Sequence, residues 1–126
     1  MPVHYSIIQR VKPGDPEAPR KYYAIAQSRG DVSLRDLAEQ IAEISTVSSI
    51  DTLAVLESLI QVIPAHLLDS KIVRLGDFGS FRLTLSSEGA ETEDDFSPSN
   101  IKGVSLKFRP GKEITNALKV VEFQKV

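Results

Sequence analysis

The chain has 126 residues, room for one compact domain with a modest core and too little for two ordinary ones. Its 15 Lys and Arg against 17 Asp and Glu leave a formal net charge of −2, which argues against a strongly cationic nucleic-acid binder. With 41% hydrophobic and 25% charged residues, the composition is that of an ordinary soluble globular protein, not a disordered one. Cysteine is absent, which excludes disulfide scaffolds, thiolate metal sites and cysteine nucleophiles and fits a reducing compartment. No uninterrupted apolar run approaches the ~20 residues that cross a bilayer, and the N-terminus lacks a signal-peptide core. A membrane partner is therefore not expected.

The charge is strongly patterned. Residues 1–32 hold Arg10, Lys12, Arg20, Lys21 and Arg29 against three acids, whereas residues 33–70 hold only Arg35 against six. Residues 71–86 are basic again, through Lys71, Arg74 and Arg82 against Asp77. Residues 87–103 set Glu88, Glu91, Glu93, Asp94 and Asp95 against Lys102, and the segment from 104 onward is basic. The helices are thus expected to be acidic and the strands basic.

In chain order, Val3, Tyr5 and Ile7 alternate with His4 and Ser6, as in a half-buried strand. Pro13-Gly14-Asp15-Pro16 and Pro19 form a polar connector, and Lys21 to Gln27 reads as a second strand ended by Gly30. The two predict an N-terminal hairpin with a long loop. Ser33-Leu-Arg-Asp36 is a helix start followed by Leu34, Leu37, Ala38, Ile41 and Ile44 at helical spacing. Ser48 to Asp51 opens a second helix carrying Leu53, Leu56, Leu59, Ile60, Ile63 and Leu67, with a kink or break expected near Ile60–Pro64. That helix is apolar on more than one side, which predicts burial against a second copy of the chain. Ile72–Leu75 and Phe81–Leu85 read as strands around Gly76-Asp77-Phe78-Gly79, where Gly79 is expected to take an angle that a side chain would resist. An acidic excursion over 87–103 leads to a strand alternating Val104, Leu106 and Phe108 with Ser105, Lys107 and Arg109. Pro110-Gly111 turns into a short helix around Glu113–Lys119, and Val121 and Phe123 suggest a last strand. Two helices followed by an antiparallel meander place the chain in the α+β class.

The most informative stretches are Ile72-Val-Arg-Leu-Gly-Asp-Phe-Gly-Ser-Phe-Arg-Leu83 and Phe108-Arg-Pro-Gly-Lys112. In both sequence and order they resemble the bacterial histone-like DNA-bending family, HU and integration host factor, over about residues 33–119. The chain is most similar to the longer Bacteroides-type branch, with an N-terminal hairpin over 1–32. The resemblance implies a single HU/IHF-like domain over 1–126: two N-terminal helices, an antiparallel sheet with a protruding arm at 87–103, and a C-terminal helix. It further implies an intertwined homodimer whose arms reach around the minor groove, with a wedging proline at each tip and cations on the phosphates. By position, Pro98 is the candidate wedge. Arg74, Arg82, Lys102, Lys107, Arg109 and Lys112 are candidate phosphate contacts, and Gly79 and Ser80 would bring main-chain donors close. Asp77 stands where the family has its first turn glycine, and five carboxylates precede Pro98 where the family has cations; against a polyanion they oppose insertion.

Phe78 and Phe81 are expected in the core, and the acidic run as a solvated loop without calcium-loop spacing. His4 and His66 fall in no metal or nucleophile pattern, and Gly76–Gly79 lacks phosphate-loop spacing. Thus no catalytic residue, metal, cofactor or small-molecule substrate is expected. The sequence reads as a non-enzymatic, cytoplasmic, nucleoid-associated protein that binds duplex DNA as a dimer with low specificity. The alternative is an HU-like structural or protein-interaction dimer whose acidic arm, with a chain pI near 5.7, has abolished bending.

Overall fold

The computed structural model describes residues 2–126. It is α+β, with three α-helices and two three-stranded sheets. The backbone forms two compact units, residues 34–116 and residues 1–33 with 117–126.

In the latter unit, β1 (Val3–Arg10) and β2 (Lys21–Ala26) pair antiparallel from Tyr5↔Ala26 to Arg10↔Lys21. β6 (Phe123–Lys125) joins the other side of β1 in parallel. It reaches β1 only after the whole of residues 34–116, so no tight turn forces the antiparallel direction seen elsewhere. One face of this sheet carries Val3, Tyr5, Ile7, Ala24, Ala26 and Phe123, because residues directly opposite in register share a face.

The larger unit begins with α1 (Leu34–Ile44) packed on α2 (Ser49–Leu68). Ser48 caps α2: its Oγ accepts from the Asp51 amide at 3.1 Å, and the Thr52 hydroxyl donates to the Ser48 carbonyl at 2.8 Å. The helix runs through Pro64 without a break, so the missing proline N–H removes a single ladder bond and does not end it. Its C-terminus closes with the Ser70 amide on the Leu67 carbonyl and the Lys71 amide on that of His66. That geometry needs a left-handed residue, and Ser70 supplies it at φ 62°.

The core this pair encloses is small. Ala38, Thr52 and Leu67 are buried, and Leu34, Ile41, Leu53, Leu56 and Ile63 are half-buried. Beside that inward line of α2, Val55, Leu59 and Val62 remain exposed, as do Ile60 and Leu68. By length and composition this helix is apolar enough to cross a membrane, although Asp51, Glu57 and Gln61 interrupt its apolar run.

Three strands complete the unit: β3 (Val73–Arg74), β4 (Gly79–Ser87) and β5 (Ile101–Pro110), in the antiparallel order β3-β4-β5. The turn between β3 and β4 is closed by the Phe78 amide on the Leu75 carbonyl and the Leu75 amide on the Gly79 carbonyl. At Gly79, φ is +150°, and a Cβ would meet the Arg109 carbonyl at 2.5 Å and the Phe108 ring at 2.7 Å. The Phe108 ring fills that space and packs on Phe81, centroids 4.9 Å apart, and on Phe78, 5.4 Å apart. Phe81 is half-buried, but Phe78 stays 49% exposed, so the expected core position holds for one ring of the two. After β5, the Gly111 amide donates to the Phe78 carbonyl and the Glu113 amide to that of Asp77. The turn's carbonyls thereby cap the start of α3 (Lys112–Lys119).

Two substitutions test this account by urea unfolding. Gly79→Ala combines backbone strain with a clash against the Arg109 carbonyl that no side-chain shift relieves, and is expected to cost about 3 kcal/mol. Ser70→Gly removes left-handed strain at the end of α2 and is expected to add about 0.5–1 kcal/mol.

Candidate nucleic-acid interface

Strand register decides which cations meet. β4 pairs with β5 as Ser80↔Arg109, Arg82↔Lys107 and Thr84↔Ser105, and β3 adds Arg74↔Ser80. Directly opposed residues, and residues two apart along a strand, point to one side of a sheet. Arg74, Ser80, Arg82, Lys107 and Arg109 therefore share a face, continued by Thr84, Ser86 and Ser105. The other face carries Val73, Phe81, Leu83, Leu85, Val104, Leu106 and Phe108, by the same register.

The polar face forms two cross-strand rows, Arg74–Ser80–Arg109 and Arg82–Lys107, ~7 Å apart along the strands. It contains no Asp or Glu, and among the described residues none of these four cations has a carboxylate within ion-pair distance. Arg82 and Lys107 are directly opposed like charges, an arrangement that weakens a sheet unless an anion neutralises it. At the turn end, a shallow cavity of about 280 Å³ is lined by Arg74, Arg109, Ser80 and the backbone of Gly76, Gly79 and Gly111. Of these glycines only Gly76 has open space where a Cβ would stand; at Gly79 and Gly111 that space is taken by Phe108, the Arg109 carbonyl and the Asp77 backbone.

The other sequence candidates lie elsewhere. Lys112 is the exposed first residue of α3, held beside the β3–β4 turn by the Glu113–Asp77 bond, so it adjoins the Arg74–Arg109 end. Asp77 in that turn and Glu113, next to Lys112 at the α3 start, are the nearby anions in sequence. Lys102 lies at the far end of the ladder, where the register slips between Ser86 and Ser87. Its Nζ pairs with the Glu88 carboxylate at 3.2 Å. Pro98 opens a short 3-10 turn, Pro98–Asn100, on the returning limb of the loop rather than at the tip of a two-stranded ribbon. Ser97 locks that turn: its amide donates to Asn100 Oδ1 at 3.0 Å, and its carbonyl accepts from the Asn100 amide at 2.9 Å. The ladder ends at Ser87↔Ile101, so the acids Glu91 to Asp95 sit in the connecting loop, away from both cation rows.

A second cationic cluster was not singled out from sequence. Arg10 and Lys21 are directly opposed at the end of the β1–β2 ladder, and with Lys12 they line a cavity of about 360 Å³. The surplus of positive charge over residues 1–32 was the available signal, but the pairing that brings residues 10 and 21 together is set by register. Among the described residues, no group of three His, Asp or Glu side chains could hold a metal ion.

No curated protein matches the chain. A crystal structure from Bacteroides vulgatus ATCC 8482, provisionally described as a bacterial DNA-binding protein, superposes with a TM-score of 0.66 at 8% identity. The match covers 98% of this chain and 48% of that one, so the chain spans about half the length of that solved relative. The HU-HIG family, described as an HU domain fused to wHTH, Ig or glycine-rich motifs, matches residues 1–125. With its paired glycine turn, its Phe-Arg-Pro-Gly-Lys helix start and that match over nearly its whole length, the chain belongs to the HU-HIG family.

Proposed function

We propose that this chain is a non-enzymatic, architectural DNA-binding module that acts as a dimer on duplex DNA with low sequence specificity, at the nucleoid. The observation that carries the reading is the acid-free face of Arg74, Arg82, Lys107 and Arg109, with Ser80 between them. Cations on one rigid sheet contact phosphates without reading bases, which gives affinity but little specificity. Lys112 extends the set at the α3 start, whereas Gly79 is buried and serves the packing of Phe108.

Dimerisation is supported by apolar surface that one copy leaves uncovered. Val55, Leu59 and Val62 on α2 and Leu85, Val104 and Leu106 on the sheet are all exposed. An open cavity of about 550 Å³ lies between the end of α2 and the β4–β5 strands, lined by Leu67, Leu68, Leu83, Leu85 and Val104 among others. Exposed apolar surface of this extent marks an interface, and a second copy carries the same surface, as a two-fold dimer requires.

A second reading is favoured by the loop: five acids precede Pro98, and Lys102 is held by Glu88. On that reading the chain is an HU-like protein-interaction dimer, and Pro98 wedges nothing. Replacing Glu91, Glu93, Asp94 and Asp95 by Lys separates the two, since DNA binding gained only in the variant favours the second.

In a duplex titration across salt, Arg82→Gln/Lys107→Gln/Arg109→Gln is expected to make the dependence of log affinity on log salt shallower by about 3 per protomer. An unchanged slope removes the sheet from the interface. By light scattering, the wild type is expected at twice the chain mass, and Val55→Glu/Leu59→Glu at the monomer mass or unfolded. A wild-type monomer refutes the dimer.

A further inference from the structure

We infer that the sheet of residues 1–33 carries its own phosphate-binding site, formed by Arg10, Lys12 and Lys21 beside Tyr23. The inference rests on the DNA-binding reading above and extends it to a surface outside the HU-like strands. β1 and β2 end on Arg10↔Lys21, two like charges placed directly opposite, an arrangement that destabilises a sheet. Lys12, two residues on, lines the same cavity of about 360 Å³ with Arg10, Lys21, Tyr23, Ala18 and Pro19. Three cations thus surround one small space, with no relief from a carboxylate. Among the described residues, none of the three has an ion-pair partner. The acids of the connecting loop are Asp15 and Glu17; Asp15 Oδ1 accepts from the Glu17 amide at 3.3 Å, and neither acid lines the cavity.

An uncompensated triplet of cations is matched by an anion with several acceptor oxygens. Arg10 offers a planar fork for two phosphate oxygens, and the lysines act as point charges. Tyr23 shares the face of Lys21 and is 48% exposed, so its hydroxyl is free to donate to a third oxygen. Nothing here reads a base, so the ligand is the backbone of duplex DNA. Arg82↔Lys107 on β4–β5 repeats the same device of opposed cations, so each unit presents one.

The test compares the full-length wild type with Arg10→Gln/Lys12→Gln/Lys21→Gln and a charge-matched control, Arg29→Gln/Lys119→Gln/Lys125→Gln, by anisotropy with a labelled 30-base-pair duplex. The site variant is expected to weaken binding at least tenfold at 0.1 M salt and to lower the salt slope by about 2–3 per protomer, against less than threefold for the control. Without DNA at low salt, Arg10→Gln is expected to melt no lower than the wild type, because it removes a repulsion. Equal affinities for site variant and control, or weaker binding accompanied by a lower melting temperature, would overturn the site. If the wild type ignores the duplex, inorganic pyrophosphate decides: shifts of the Ala18 and Tyr23 amides in the wild type alone keep the site while the DNA reading falls. No shift removes both.

Discussion

The larger unit depends on one close packing, the Phe108 ring over the hydrogen of Gly79. Because no side chain stands at Gly79, β5 approaches the β3–β4 turn closely enough for its Arg109 carbonyl and Phe108 ring to occupy that space. Close approach recurs one step later at Gly111, whose missing Cβ leaves room for the Asp77 carbonyl. Those contacts fix where β5 ends and where α3 begins, and so fix the register of the whole β4–β5 ladder. In a two-residue repeat, a slip of β5 by one position would send Lys107 and Arg109 to the apolar side.

Register therefore does chemical work. The alternation of β4 and β5 separates a face of four cations from a face of aliphatic and aromatic side chains, on strands whose sequences mix both. Opposed Arg82 and Lys107 are a standing electrostatic cost, modest because both are exposed. A polyanion removes that cost, and the same argument applies to Arg10 and Lys21 on the other sheet. A chain of net charge −2 can present such surfaces because its acids are gathered on the helices and in the 87–95 loop.

The apolar surplus has the complementary meaning. Helix α2 offers the core a line through Thr52, Leu56, Ile63 and Leu67, yet carries a further line through Val55, Leu59 and Val62 that meets solvent. Together with the outward apolar side of β4–β5, it gives a chain with few fully buried residues and extensive exposed hydrophobic surface. Such a balance is unfavourable for an isolated copy, since burying apolar area is the main favourable term in folding.

Much of this was legible in the sequence. Local rules act over a few residues, so Ser48 capping, the helix spans, the alternation of β1 and β5 and the need for glycine at position 79 could be read directly. The surplus on α2 was visible too, because helical spacing alone assigns faces. Distant pairings were decided by the tertiary structure: the parallel placement of β6 on β1, the meeting of Arg10 with Lys21, and the division of the backbone into two units. The fates of Lys102 and Pro98 belong here as well. A register slip and the Glu88 ion pair hold Lys102 at the end of β5, and the Ser97–Asn100 bonds hold Pro98 in the acidic loop; neither can be inferred from spacing, because both depend on where the ladder stops. Residue type fixed which side chains were charged; only the pairing of strands fixed which charges stand together.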